Sequence, residues 1–119
     1  YILDTAAIVH DIGIKVSEEK YNDCSGKHQE EEGPAAAEPM LRSLGYPDSV
    51  IERVCYLIAH HHTYHDVDGM DYQILIEADF LVNLHEDGAS PQVCRTAYER
   101  VFRTTAGKRI CRQMYPVRE

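Results

Sequence analysis

No stretch of this chain approaches the roughly 20 consecutive apolar residues that a membrane-spanning helix requires. No basic segment precedes the first apolar stretch, so no secretory leader is visible. Basic residues are the minority, with 12 Lys and Arg against 20 Asp and Glu and a formal net charge of -8. A duplex nucleic-acid partner calls for a basic footprint, which this balance excludes. A small anionic substrate is not excluded, because a bound metal reverses the local field. There is no CxxC pair: Cys24, Cys55, Cys94 and Cys111 lie far apart. With histidines and carboxylates abundant and no leader, they read as reduced thiols of a cytoplasmic protein. Strand-like alternation of useful length, internal repeats, low-complexity tracts and an interdomain linker are all lacking.

What remains is helical. The 119 residues fit one domain, and an apolar share of 44% is enough to bury a core. Ile2, Leu3, Ala6, Ala7 and Ile8 give a helical stripe that Gly13 would end. Residues 14–31 are polar and read as a loop with one short helix at most. Gly33-Pro34 would open a helix stopped at Gly45, and Pro39 requires that helix to be kinked or to start late. Pro47 opens the next helix, with Val50, Ile51, Val54, Leu57, Ile58 and His61 on one face. The segment "TYHDVDGMD" reads as a loop. "YQILIEADFLVNLHE", apolar on most sides, reads as the central and most buried helix. Ser90-Pro91 is a cap and first-turn pair for a helix to about Phe102. A last helix runs from about Thr105 to Tyr115 and stops at Pro116. The expected fold is all-α, a single compact bundle of about 5–7 helices.

The seven histidines are unevenly placed. His10 adjoins Asp11 at the end of an apolar run. His60, His61 and His62 are consecutive. His28 lies in the polar stretch, and His65 and His85 read as surface residues. Asp79 sits in the most apolar helix, where an ionised carboxylate is costly unless paired or coordinated. Each of these has an ordinary structural explanation. A His-Asp pair at a helix end commonly faces the dipole or the solvent, and histidines at a helix C-terminus are favoured there. Asp79 would serve equally as a buried hydrogen-bond hub. Glu30, Glu31 and Glu32 read as a solvated face or an acidic first turn. Lys27, Lys108 and Arg109 read as exposed charges. Together, though, imidazoles and carboxylates from several helices suit a borderline divalent ion such as Zn, Mn or Fe, and a hydrolytic site. Successive helical residues turn by ~100°, so the three consecutive histidines cannot all face one ion.

The order of these residues resembles the HD superfamily of metal-dependent phosphohydrolases, its small bacterial members in particular. The resemblance rests on "AAIVHDIG", "EEEGPAAAEPMLRSLG" and "VIERVCYLIAHHHTYHDVDGMDYQILIEADFLVN", from Ala6 to Asn83. "HHHTYHDVDG" is also loosely similar to the cyclic-dinucleotide hydrolases of the HD-GYP group, although Gly69 is followed by "MDY" and no GYP triplet is present. The resemblance implies an HD-like bundle with one or two divalent ions of Mn, Fe, Zn, Mg or Co. His10 and Asp11 would be metal ligands, and Asp11 would bridge two ions or take a proton from the attacking water. Asp79 would close the shell. His28, His60 and His61 would complete a second site, with His61 and His62 as the other register. The family pattern begins with a further histidine on an upstream helix, and none occurs among the nine residues before His10. The expectation is therefore a domain without that N-terminal helix. The implied function is hydrolysis of a phosphate ester or nucleotide; the rival is a non-catalytic metal- or nucleotide-binding module with an incomplete site. The partner would be a small phosphorylated molecule, and a homo-oligomer stays open.

Overall fold

A computed structural model of the protein describes residues 2–23 and 25–117, so Cys24 lies outside the described residues. Seven helices occur among them and no strand, as expected of an all-α chain. They are α1 (Ile2–Val9), α2 (Gly13–Tyr21), α3 (Gly26–Ser43), α4 (Asp48–His60), α5 (Met70–Glu86), α6 (Pro91–Arg100) and α7 (Thr105–Met114). The chain divides after His65 into two compact units.

In the first unit α3 packs against both α2 and α4, and α1 lies against α4. Two glycines set the α2–α3 approach. A Cβ on Gly13 would lie 2.8 Å from the Gln29 carbonyl oxygen and 2.9 Å from the Gly33 nitrogen. A Cβ on Gly33 would meet Ile58 Cγ2 at 2.5 Å, so α3 can also press onto α4 only because Gly33 is bare. This corrects two expectations. Gly13 begins α2 rather than merely ending α1, and residues 14–31 are mostly helical. Gly33-Pro34 lies inside α3, which runs from Gly26 through both Pro34 and Pro39. Each proline removes a helical donor at a cost of ~3 kcal/mol. Packing on two sides outweighs that cost. Local rules do start the helix: the Ser25 hydroxyl accepts from the His28 N–H. The face foreseen on α4 is the buried one, with Val50, Ile51, Val54, Leu57, Ile58 and His61 all in the interior. On α1 the stripe is narrower than expected: Ala6 is buried and Ile8 is 83% exposed.

In the second unit Leu84, Cys94, Ala97, Tyr98, Phe102, Cys111 and Val117 form one apolar core. Ser90 caps α6 through the Val93 N–H, with Pro91 in the first turn, as foreseen. Helix α5 is less enclosed than its composition suggested, because Met70, Ile74 and Val82 are exposed. The buried carboxylate of α5 is Glu77, 2% exposed, whereas Asp79 is only half-buried. Two positions along a helix is a turn of ~200°, so the two carboxylates leave α5 on opposite sides. Glu77 Oε2 accepts from the backbone N–H groups of Arg103 and Thr104, both at 3.0 Å, and from the Gln73 amide. Its Oε1 accepts from the Thr104 hydroxyl at 2.6 Å. The same hydroxyl caps α7 through the Gly107 N–H at 2.9 Å. Gly107 has to be glycine, since a Cβ there would fall 1.9 Å from Glu77 Oε1.

Glu77→Ala would leave the Arg103 and Thr104 amides without their acceptor, at ~1–3 kcal/mol for each buried group. The expected loss of unfolding free energy is about 2–4 kcal/mol, read by urea denaturation. A loss under about 1 kcal/mol would show that Glu77 is not the hub of this unit.

Candidate metal centre

The His-Asp pair occupies the turn between α1 and α2. The Ile12 N–H donates to the Val9 carbonyl and the Ile14 N–H to the Asp11 carbonyl, each at 3.0 Å. The break frees the two neighbours from the ~100° separation of a regular helix. His10 Nδ1 donates to the Ala7 carbonyl at 2.9 Å. A carbonyl only accepts, so the proton is on Nδ1 and Nε2 is the lone-pair nitrogen of the neutral ring. That Nε2 lies 3.3 Å from Asp11 Oδ2.

The second component comes from the end of α4. His60 is the last residue of α4, and His61, its cap residue, keeps helical dihedrals and the buried face of the helix. His61 is fully buried. Its Nδ1 donates to the Ile58 carbonyl at 2.7 Å. Its Nε2 has no hydrogen-bond partner among the described residues and lies 3.7 Å from Asp11 Oδ1. The His61 ring stands edge-on to His10, with centroids 5.3 Å apart. The His62 ring centroid is 4.0 Å from that of His61. Asp11, His61 and His62 each offer one ligand atom, and these atoms lie within 4.8 Å of one another.

The electrostatics follow from that placement. The His61 imidazole beside Asp11 holds its carboxyl below the usual carboxylate range, helped by His10 and His62 and opposed by partial burial. Asp11 is therefore ionised at neutral pH, facing two ring nitrogens that carry lone pairs when neutral. Lone pairs and carboxylate oxygens at these distances repel unless a positive charge lies between them. A proton on one ring or a divalent cation supplies it. The donor set fits a cation: two imidazoles and a carboxylate suit Zn, Mn, Fe or Co. The carbonyls on Nδ1 of His10 and His61 are the outer contacts that orient a ligating imidazole. The orphaned His61 Nε2 is the sharper sign, because a buried polar atom without a partner costs ~1–3 kcal/mol.

His60 and His28, also expected at the site, make contacts of their own. His60 Nδ1 donates to the Tyr56 carbonyl at 2.7 Å, and its ring stacks on Tyr56. The pair gathered at Asp11 is therefore His61 and His62. His28 Nδ1 lies 2.7 Å from Asp23 Oδ1, and its ring stacks on Tyr21 at 3.7 Å. Asp79 stands on α5 in the second unit. His65 and His85 are exposed, as read from the sequence. The triplet of glutamates is not a plain solvated face. Glu30 Oε2 accepts from the His62 N–H at 3.0 Å and from the Thr63 hydroxyl at 2.8 Å, tying the end of α4 to α3. Glu32 accepts from Lys20 Nζ at 2.9 Å and from the Tyr21 hydroxyl at 3.2 Å. Sequence reasoning passed over Gln29 and Tyr64, which touch His62 as Glu30 does. Partners some thirty positions apart leave no local pattern.

Comparison of the chain with family models, with curated proteins and with solved structures finds no match.

Asp11→Asn and His61→Leu each remove one donor while keeping side-chain bulk. Each is expected to weaken Zn or Mn binding by at least about tenfold in a calorimetric titration, with helical content unchanged. Wild-type affinity in both variants would mean that these residues do not hold an ion.

Proposed function

We propose that the chain is a metal-dependent phosphohydrolase acting on a phosphate ester or nucleotide, with Asp11, His61 and His62 holding a divalent ion and His10 beside them. The observation that carries this reading is the buried, unpartnered Nε2 of His61, aimed at an ionised carboxylate. Such an ion would lower the pKa of a bound water and polarise a phosphoryl oxygen.

The protein's own groups do the rest. Asp11, kept ionised by its histidine neighbours, can receive a proton on a carboxylate oxygen from an attacking water. His10 is anchored through Nδ1 and only partly exposed, so its Nε2 can carry a proton at the rim of the site. His61 is held rigid by the Ile58 carbonyl and by full burial, which lowers the entropic cost of assembling the site. No helix among the described residues is long and apolar enough to cross a membrane. Cys55, Cys94 and Cys111 are free thiols, in keeping with a reducing, cytoplasmic setting.

The test is phosphate release from a panel of phosphomonoesters, nucleotides and cyclic nucleotides, with Mn, Co, Zn, Fe or Mg added singly. The expected result is metal-stimulated turnover that falls by about 100-fold or more in Asp11→Asn. No metal-stimulated release from any member of the panel would overturn the proposal.

A further inference from the structure

The two histidines at the end of α4 are held by opposite ring nitrogens. His61 donates from Nδ1 to the Ile58 carbonyl and turns Nε2 to Asp11. His62 is held the other way. Its Nε2 lies 3.1 Å from Gln29 Oε1. An amide oxygen only accepts, so the ring proton of neutral His62 belongs on Nε2. Its Nδ1 is then the lone-pair nitrogen, and it receives the Tyr64 hydroxyl at a long 3.3 Å. The ring has little freedom to turn over. The His62 backbone N–H donates to Glu30 Oε2 at 3.0 Å, which fixes the residue at its main chain. A Cβ on Gly26 would come within 2.9 Å of the His62 side chain, so the ring lies directly on the bare first turn of α3. Gln29 itself is buried, 7% exposed, and cannot swing aside cheaply.

Resting on the metal-centre reading above, we infer that Gln29 is a positioning residue that fixes the His62 tautomer. The site thereby takes Nε2 from His61 but Nδ1 from His62, with the Tyr64 hydroxyl giving up Nδ1 when a cation arrives. The physical reason is that a ligating imidazole needs its other nitrogen protonated and held by an acceptor. The acceptors here are the Ile58 carbonyl for His61 and the Gln29 amide for His62. Gln29 supplies from α3 what the helix backbone supplies within α4. Tyr64, 43% exposed, has room to move away.

The experiment is long-range proton–nitrogen NMR of the histidine rings in metal-free protein at a pH where they are neutral, followed by titration with Zn. The wild type should show His62 protonated on Nε2 and His61 on Nδ1. Gln29→Leu should lose the His62 preference and weaken Zn binding by roughly tenfold or more. Gln29→Glu, which keeps an acceptor at that place, should restore both. On adding Zn to the wild type, the His62 Nδ1 resonance should shift, and Tyr64→Phe should not weaken binding. His62 protonated on Nδ1 in the wild type, or an unchanged tautomer in Gln29→Leu, would overturn the inference. The tautomer is read without metal or substrate. A protein that turns over no phosphate ester but shows the predicted ring protonation would sink the hydrolase proposal and leave this one standing.

Discussion

Everything distinctive about the first unit follows from one constraint. An ionised Asp11 faces the lone-pair nitrogens of two anchored histidines, and something positive has to lie between them. The backbone enforces this confrontation. The carbonyls of Ala7 and Ile58 take the Nδ1 protons of His10 and His61, and that choice leaves Nε2 of each ring pointing at a carboxylate oxygen. A proton on either Nε2 pairs with Asp11, and a divalent cation held by the nitrogens and the carboxylate meets the same need. The arrangement fits a group that delivers positive charge without needing a lone pair of its own, which is the property of a metal cation.

The surrounding helices serve that geometry. α2 and α3 meet backbone to backbone at Gly13 and Gly33, and α3 meets α4 at Gly33 and Ile58. These short distances set the turn carrying Asp11 relative to the end of α4. They also bring Gln29 and Glu30 under His62, so one stretch of α3 both packs the unit and orients a site residue. Helix propensity alone would not have built α3 as a single rod. Its two prolines and its interior Gly33 argue against it locally. Gly33, with Gly13 of α2, is what lets its neighbours approach closely enough to hold it.

How much of this was legible in the sequence depended on the range of the interaction. Caps and faces were legible: Ser90-Pro91 at the start of α6, and the apolar side of α4 with His61 included. Adjacent His10 and Asp11, with a histidine cluster fifty positions on, were enough to suggest a metal site. The register within the cluster was not legible. Whether His60 or His62 joins His61 depends on where α4 ends, and a helix end is the least local part of a helix. Glu77 was missed for a similar reason. Its partners Arg103 and Thr104 lie beyond an intervening helix, and an Asp two residues away looked equally out of place on the same apolar segment. Residues 14–31 were misread because their polarity hid the two glycine contacts that make a helix pair there.

The Glu77 hub has a consequence of a different kind, for the order in which the second unit comes apart. A carboxylate that has shed its water and taken four protein donors from α5 and from the entry to α7 cannot be half assembled without stranding either the charge or the amides. Opening the connection between α6 and α7 therefore exposes the whole arrangement at once. The amides of Arg103 and Thr104 should exchange with solvent only when α7 as a body lets go, so a loop segment by position behaves in time as part of the core.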